Sequence, residues 1–296
     1  MSKIAIYGDE LAKRLARRVR AKYVSFFLRV FPDGELQPRL SKEVKSKYAI
    51  LLVRKKRDED INVYLLKYFL LAKKLRTLAK NVIGIMPYFP YARQDKVFRK
   101  GEPLSSKYIA ELIESCVDVF ITVSMHEHRK KVSDLFSIRA FNLSAFPLLG
   151  EVFSSFNPEN SIVVAPDEEA EKYAKDFVTT FQAPYIVLQK RRDVRTGKIS
   201  LRLKGDVDLR KKDVIIVDDI VSTGGTITEV AKMCKRLGCK SVSFAFVHGL
   251  LVGDAVRKLK SVKPKKIVST NTVENPFETV DITPLLFKFL KKLIER

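Results

Sequence analysis

Short, continuous apolar runs rich in β-branched residues alternate with longer segments of helical periodicity along the whole chain. This alternation restricts the possible fold more than any other feature. Residues 3–7, 24–30, 48–53, 82–86, 117–123, 161–165, 185–188, 214–217, 241–247 and 265–269 read as strands. Helical patterns end near residue 20, span 60–79, 104–115, 144–155, 168–181 and 226–237, and close the chain at 283–296. In 60–79 the apolar set is Leu65, Leu66, Phe69, Leu70 and Leu75. Strands apolar on both faces and separated by helices call for parallel sheets with right-handed crossovers. The alternation runs through two rounds that meet near residues 143–150. It predicts two similar parallel-sheet α/β domains, 1–145 and 146–282, with helix 283–296 packed back on the first. Ligands bind such sheets at the C-terminal ends of strands, and every polar segment of interest here follows a strand.

The strongest such segment is DVIIVDDIVSTGGTIT, residues 213–228. A buried strand delivers two adjacent carboxylates, Asp218 and Asp219. Ser222, Thr223, Gly224, Gly225 and Thr226 then lead into a helix. Glycines let backbone approach an anion closely, hydroxyls add donors, and the free N–H groups of a helix start carry partial positive charge. The arrangement is a phosphate cradle with carboxylates placed for sugar hydroxyls. No Lys follows the glycines, so it is not a Walker loop.

A chain of 296 residues with 46% hydrophobic content can build two well-formed cores. No apolar run reaches membrane-spanning length and the start MSKIAIYGDE lacks a signal-peptide core. Cys116, Cys234 and Cys239 have no metal spacing, so they read as reduced thiols in a cytoplasmic protein. Scarce Asn and Gln beside abundant Lys, Arg and Glu point to a thermophile. The formal charge is +22. Its basic residues are spread along the chain, with neither a basic tail nor a nucleic-acid module. A solvated basic surface that attracts polyphosphates is therefore expected, with neither a membrane nor nucleic acid as partner.

The loop at 213–228 resembles the ribose-5-phosphate loop shared by type I phosphoribosyltransferases and phosphoribosyl pyrophosphate (PRPP) synthetases. Two further segments resemble the synthetases: MPYFPYARQDKVFRKGEP at 86–103 and Pro32-Asp33-Gly34-Glu35. Taken alone, the first is equally an ordered loop with a partly buried aromatic cluster. The resemblance covers nearly the whole chain and implies the type I phosphoribosyltransferase fold in both domains. It further implies ATP binding by Asp33, Gly34, Glu35, Arg93, Gln94 and Asp95, with one loop crossing from a neighbouring subunit of a homo-oligomer.

The same resemblance implies Mg²⁺ held by His126 and Asp167, and a mobile catalytic loop carrying Lys190 and Arg192. Asp218, Asp219 and Ser222 to Thr226, with Arg192, would hold ribose 5-phosphate. Four residues in three segments depart from the family's usual pattern. Ser222 often stands as Asp, Ser124 replaces an acid before the metal His, and Glu168-Glu169 stand where small residues are usual after Asp167. The implied activity is ribose-phosphate diphosphokinase. The alternatives are a catalytically weak homologue that binds PRPP or nucleotide and regulates a partner, and a base phosphoribosyltransferase.

Overall fold

A computed structural model describes residues 2–192, 199–203 and 207–294; the side chains of 2, 190–192 and 199–203 lie outside the description. The chain divides into two compact units, Met1–Leu143 with Ile282–Arg296, and Ser144–Asp281.

The first unit runs β1 (Ser2–Gly8), α1 (Glu10–Val19), β2 (Lys22–Val24), β3 (Phe26–Val30), β4 (Leu36–Leu40), β5 (Ser46–Leu52), α2 (Ile61–Leu75), β6 (Ala79–Ile85), α3 (Ser105–Glu114), β7 (Val119–Val123), α4 (Val132–Leu135) and β8 (Arg139–Leu143). The C-terminal helix, Thr283–Ile294, belongs to this unit. Its Thr283 hydroxyl accepts from Arg18 Nε of α1 at 3.1 Å, and Phe289 meets Phe141 edge-on at 4.8 Å. Within the described residues the main sheet has the order β2-β1-β5-β6-β7-β8, parallel throughout.

Residues 24–30 do not form one strand. The chain breaks at Ser25. β2 joins the sheet beside β1, and β3 leaves it to pair antiparallel with β4 as a two-stranded ribbon. Pro38 of β4 is compatible with a ribbon that has no further neighbour to receive an N–H.

Helix α2 also presents a different face from the one its periodicity suggested. Leu65 and Leu75 are buried, but Leu66 and Leu70 are 47% and 39% exposed, while Tyr64, Lys67 and Tyr68 point inward. The helix is apolar nearly all round, so spacing alone does not fix its buried side. Specific partners do. Lys67 Nζ meets Glu59 at 2.5 Å, and the Tyr64 hydroxyl donates to Val53 O at 3.1 Å.

The second unit runs α5 (Phe146–Glu151), β9 (Ser161–Ala165), α6 (Glu171–Phe181), β10 (Tyr185–Arg192), β11 (Ile199–Leu203), β12 (Asp213–Val221), α7 (Gly225–Arg236), β13 (Ser241–Gly249), α8 (Ala255–Ser261), β14 (Lys266–Thr270) and β15 (Glu278–Val280). The sheet order is β11-β10-β9-β12-β13-β14-β15. All described pairs are parallel except β10–β11. Its core gathers Ile162, Val164, Leu188, Val214, Ile216, Val230, Phe244 and Phe246 from strands and α7. No helix among the described residues is long and apolar enough to cross a membrane.

Candidate active site

In the second unit the C-terminal ends of β9 and β12 lie side by side, because Ile216 of β12 pairs with Val164 of β9. β12 continues through Val221, so Asp218 and Asp219 belong to the strand itself. Each accepts the next residue's N–H: Asp219 N donates to Asp218 Oδ1 at 3.0 Å, and Ile220 N to Asp219 Oδ1 at 2.7 Å. The other oxygen of Asp219 accepts from the Tyr173 hydroxyl of α6 at 2.6 Å. Asp219 is buried and Asp218 half-buried. The Asp218 carboxyl is held well above the usual carboxylate range, first by loss of water, then by the charges of Asp219 and Asp167.

After β12 the chain turns through Ser222 and Thr223 into α7. Gly224 caps α7 with φ of 71°, the left-handed region that favours glycine. A Cβ there would stand 3.4 Å from Ala255 O. No side chain caps this helix start, so its first N–H groups are available to an anion. A neighbouring loop braces the turn: Leu251 N donates to Val221 O at 3.1 Å and Val252 N to Ser222 O at 2.9 Å. Thr223 and Thr226 are exposed, and Ser222 and Gly225 half-buried. Sequence, turn and helix start thus fall in one cradle beside the two carboxylates.

Asp167 follows β9. Its backbone carbonyl and Oδ1 both accept from Ala170 N at 3.2 Å, which closes the turn into α6. Glu168 and Glu169 are exposed on this turn. Glu168 Oε1 accepts from Gln189 Nε2 at 3.4 Å. Lys190 and Arg192 lie in the last part of β10, with Cα partners Leu201 and Ile199 in β11. Their side chains lie outside the described part of the structure, as do residues 193–198 altogether.

In the first unit the β3–β4 ribbon ends in a tight turn. Gly34 N donates to Phe31 O and Phe31 N to Glu35 O, both at 2.9 Å, and Glu35 N donates to Asp33 Oδ1 at 3.1 Å. Asp33, Gly34 and Glu35 are all exposed. The segment after β6 has two layers. Phe89 is buried against Phe120 and Phe136, each 5.9 Å away, and Tyr88 is 8% exposed, so both belong to the core. Arg93 and Gln94 are exposed above them. Asp95 is 4% exposed, and its carboxylate accepts from Arg129 N at 3.0 Å and Arg129 Nη1 at 3.2 Å. Phe98, which the sequence does not single out, is 59% exposed on the same segment, with Lys96 Nζ over its ring at 4.7 Å. His126 is half-buried, two residues beyond Ser124, which has φ of 42°.

Sequence reasoning missed Tyr173 and the bracing loop at 250–254. Neither carries a local signal, because Tyr173 is 46 residues from Asp219 and the brace acts through backbone.

Comparison with known proteins agrees with this geometry. Residues 7–116 match the N-terminal domain of ribose phosphate pyrophosphokinase, and residues 131–285 match the phosphoribosyl transferase domain. Ribose-phosphate pyrophosphokinase 2 of Archaeoglobus fulgidus is 34% identical over 277 residues, 93% of this chain and 94% of the relative. The Bacillus subtilis ribose-phosphate pyrophosphokinase is 27% identical over 297 residues, 98% of this chain and 92% of the relative. The crystal structure of phosphoribosylpyrophosphate synthetase from Mycobacterium smegmatis matches with a TM-score of 0.85 at 26% identity, covering 99% of each chain. The chain belongs to the ribose-phosphate pyrophosphokinase family.

Proposed function

We infer that this chain transfers the diphosphoryl group of ATP to ribose 5-phosphate, giving PRPP and AMP. The anomeric hydroxyl of the sugar attacks the β-phosphorus. A C1–O–P bond forms, the bond from the β-phosphorus to the α,β-bridging oxygen breaks, and AMP leaves with that oxygen. The observation that carries this reading is the uncapped start of α7, opened by left-handed Gly224 directly after the carboxylates of β12.

The 5-phosphate sits on Ser222, Thr223, Gly224, Gly225 and Thr226, where helix N–H groups and hydroxyls donate to it. Asp218 receives the ribose hydroxyls, since it is the less buried carboxylate; Asp219 holds the strand end in place. Lys190 and Arg192 stabilise charge developing on the transferred group, with Arg192 also reaching the sugar phosphate. Catalysis of this kind rests on positioning and electrostatics. In the first unit, Arg93 and Gln94 contact ATP, with Asp95 anchoring their loop through Arg129. Asp33, Gly34 and Glu35 contact ATP from the exposed ribbon tip. Phe27 and Val30 are 59% and 56% exposed on that ribbon, which supports a homo-oligomer in which the tip serves a neighbouring subunit.

The donor set fits a divalent cation. Asp167 and Asp218 are hard oxygen donors, and their mutual repulsion is the charge pattern that a cation relieves. Mg²⁺ is commonly bound by one or two carboxylates and completed by substrate phosphates and water. Asp167 would hold it, and the ion would supply charge neutralisation of the diphosphoryl group; His126 is the other metal ligand that the family resemblance implies. Glu168 and Glu169 lie exposed on the turn, and Glu168 is engaged by Gln189.

The test is AMP release from MgATP with and without ribose 5-phosphate. Release that requires the sugar phosphate and matches PRPP formed is the expected result. Nucleotide binding without release would favour a regulatory homologue. Consumption of PRPP with a base would favour a phosphoribosyltransferase.

A further inference from the structure

Basic residues that lie far apart in sequence meet at the N-terminal edge of the first unit's sheet, away from the strand ends that carry the candidate site. β1 pairs with β5 so that Ser2 faces Ser46 and Ile4 faces Tyr48, which sets Lys3 opposite Lys47. β5 pairs with β6 so that Ser46 faces Ala79 and Tyr48 faces Asn81, which sets Lys47 opposite Lys80. Residues level with one another on neighbouring parallel strands project to the same side. Lys3, Lys47 and Lys80 therefore form a ladder across three adjacent strands, with steps of about 5 Å. All three are exposed. Lys22 of β2, the Cα partner of Ala5, extends the row by one strand on the same face and is exposed too.

Three cations level with one another on adjacent strands repel one another, and Lys47 Nζ lies 5.3 Å from the centroid of the Tyr48 ring. Two nearby acids are engaged chiefly by cations outside the row, and Glu43 also acts on Lys45. Glu43 is bound to Lys74 at 2.6 Å, and Asp118 to Arg76 at 2.6 Å. Lys42 and Lys45 add charge in the loop that leads into β5, and both are exposed. Among the described residues, none of the large exposed apolar side chains lies at the start of β1, β2, β5 or β6. A membrane surface would call for such apolar anchors beside the charge. A row of evenly placed cations without them matches the repeated phosphates of a polynucleotide, where neutralisation releases counterions.

We propose that the Lys3–Lys47–Lys80 ladder docks a nucleic-acid strand through its phosphates, without reading its bases. The linear sequence hides this surface, because the three lysines are brought together only by sheet pairing, and the proposal replaces the expectation from sequence that nucleic acid is no partner.

The test measures binding of a fluorescent single-stranded RNA to the full chain across a salt series. The wild type should bind with a steep salt dependence. Lys3→Gln/Lys47→Gln/Lys80→Gln should weaken binding at least about tenfold and flatten the slope of log K against log salt by about 2. AMP-forming activity should not change. A control of equal charge loss in the second unit, Lys211→Gln/Lys240→Gln/Lys263→Gln, should bind nearly as the wild type does. If the triple variant is unstable, Lys47→Gln alone should still lower affinity. Equal losses in ladder and control variants would overturn the proposal, leaving only diffuse attraction by total charge. Inorganic polyphosphate, or vesicles containing phosphatidylserine, binding more tightly than RNA through the same lysines would also overturn it.

Discussion

Asp219 is fixed from two sides, by Ile220 N and by the Tyr173 hydroxyl. The Tyr173 ring stacks on Phe146 at 4.7 Å and 14°, so Tyr173→Phe removes the hydroxyl while keeping the packing. A hydrogen bond to a charged group contributes about 1.5–3 kcal/mol, so kcat/KM for ribose 5-phosphate should fall roughly ten- to hundredfold. KM for ATP should hold, and the melting temperature should fall by only a few degrees, because a buried carboxylate oxygen loses its donor. An equal rise in both KM values would remove Tyr173 from sugar positioning. Tyr68 makes the opposite case. Its hydroxyl is buried with no partner among the described residues, against Gly84, where a Cβ would come within 2.2 Å of it. Tyr68→Phe should leave activity intact and stabilise the protein by about 1 kcal/mol, since an unmet buried donor costs that order. An unchanged or lower urea midpoint would contradict this.

At the scale of elements, the α7 cradle was legible in the sequence because strand, acids, hydroxyls and glycines are contiguous there. Its decisive detail is the left-handed Gly224. Gly224→Ala would force a Cβ into that conformation and against Ala255 O, costing about 1 kcal/mol of stability. It should also raise KM for ribose 5-phosphate more than KM for ATP, as separate substrate titrations would show. On β10, Lys190→Ala should lower turnover by roughly two to three orders of magnitude, the scale of losing one group aimed at developing charge. An undiminished single-turnover rate would take Lys190 out of the mechanism. Other elements were not legible. The β3–β4 ribbon was hidden because Leu36–Leu40 carries Pro38 and half-buried alternation, a weak strand signal. The buried face of α2 was misread because Glu59 and Val53, outside the helix, decide which side turns inward.

Across the whole molecule, burial of ionisable groups sets a stability limit at high pH. In the first unit the Tyr7 phenol is pushed up to about 12, chiefly by burial. Burial also pushes the Tyr64 and Tyr68 phenols well above their ordinary range. In an unfolded chain these phenols ionise near about 10. The folded state thus keeps protons that the unfolded state releases. The stability they contribute is complete below pH of about 10 and is lost as pH rises toward and past about 12, by roughly 1.4 kcal/mol per unit for each phenol. In the second unit the Cys234 thiol, pushed up to about 12 by burial, acts in the same direction. The excess charge works against the trend, because exposed lysines lose their protons and relieve the repulsion of a +22 chain. That relief is screened beyond about 8 Å at physiological salt, whereas buried phenols are not. Melting temperature should therefore fall steeply above pH of about 10, together with the appearance of phenolate absorbance. Tyr7→Phe should flatten the fall while leaving the neutral-pH melting temperature within a few degrees, since only the bond to Val44 O is removed. A melting temperature that holds or climbs through this range would mean that relief of charge repulsion outweighs the buried tyrosines.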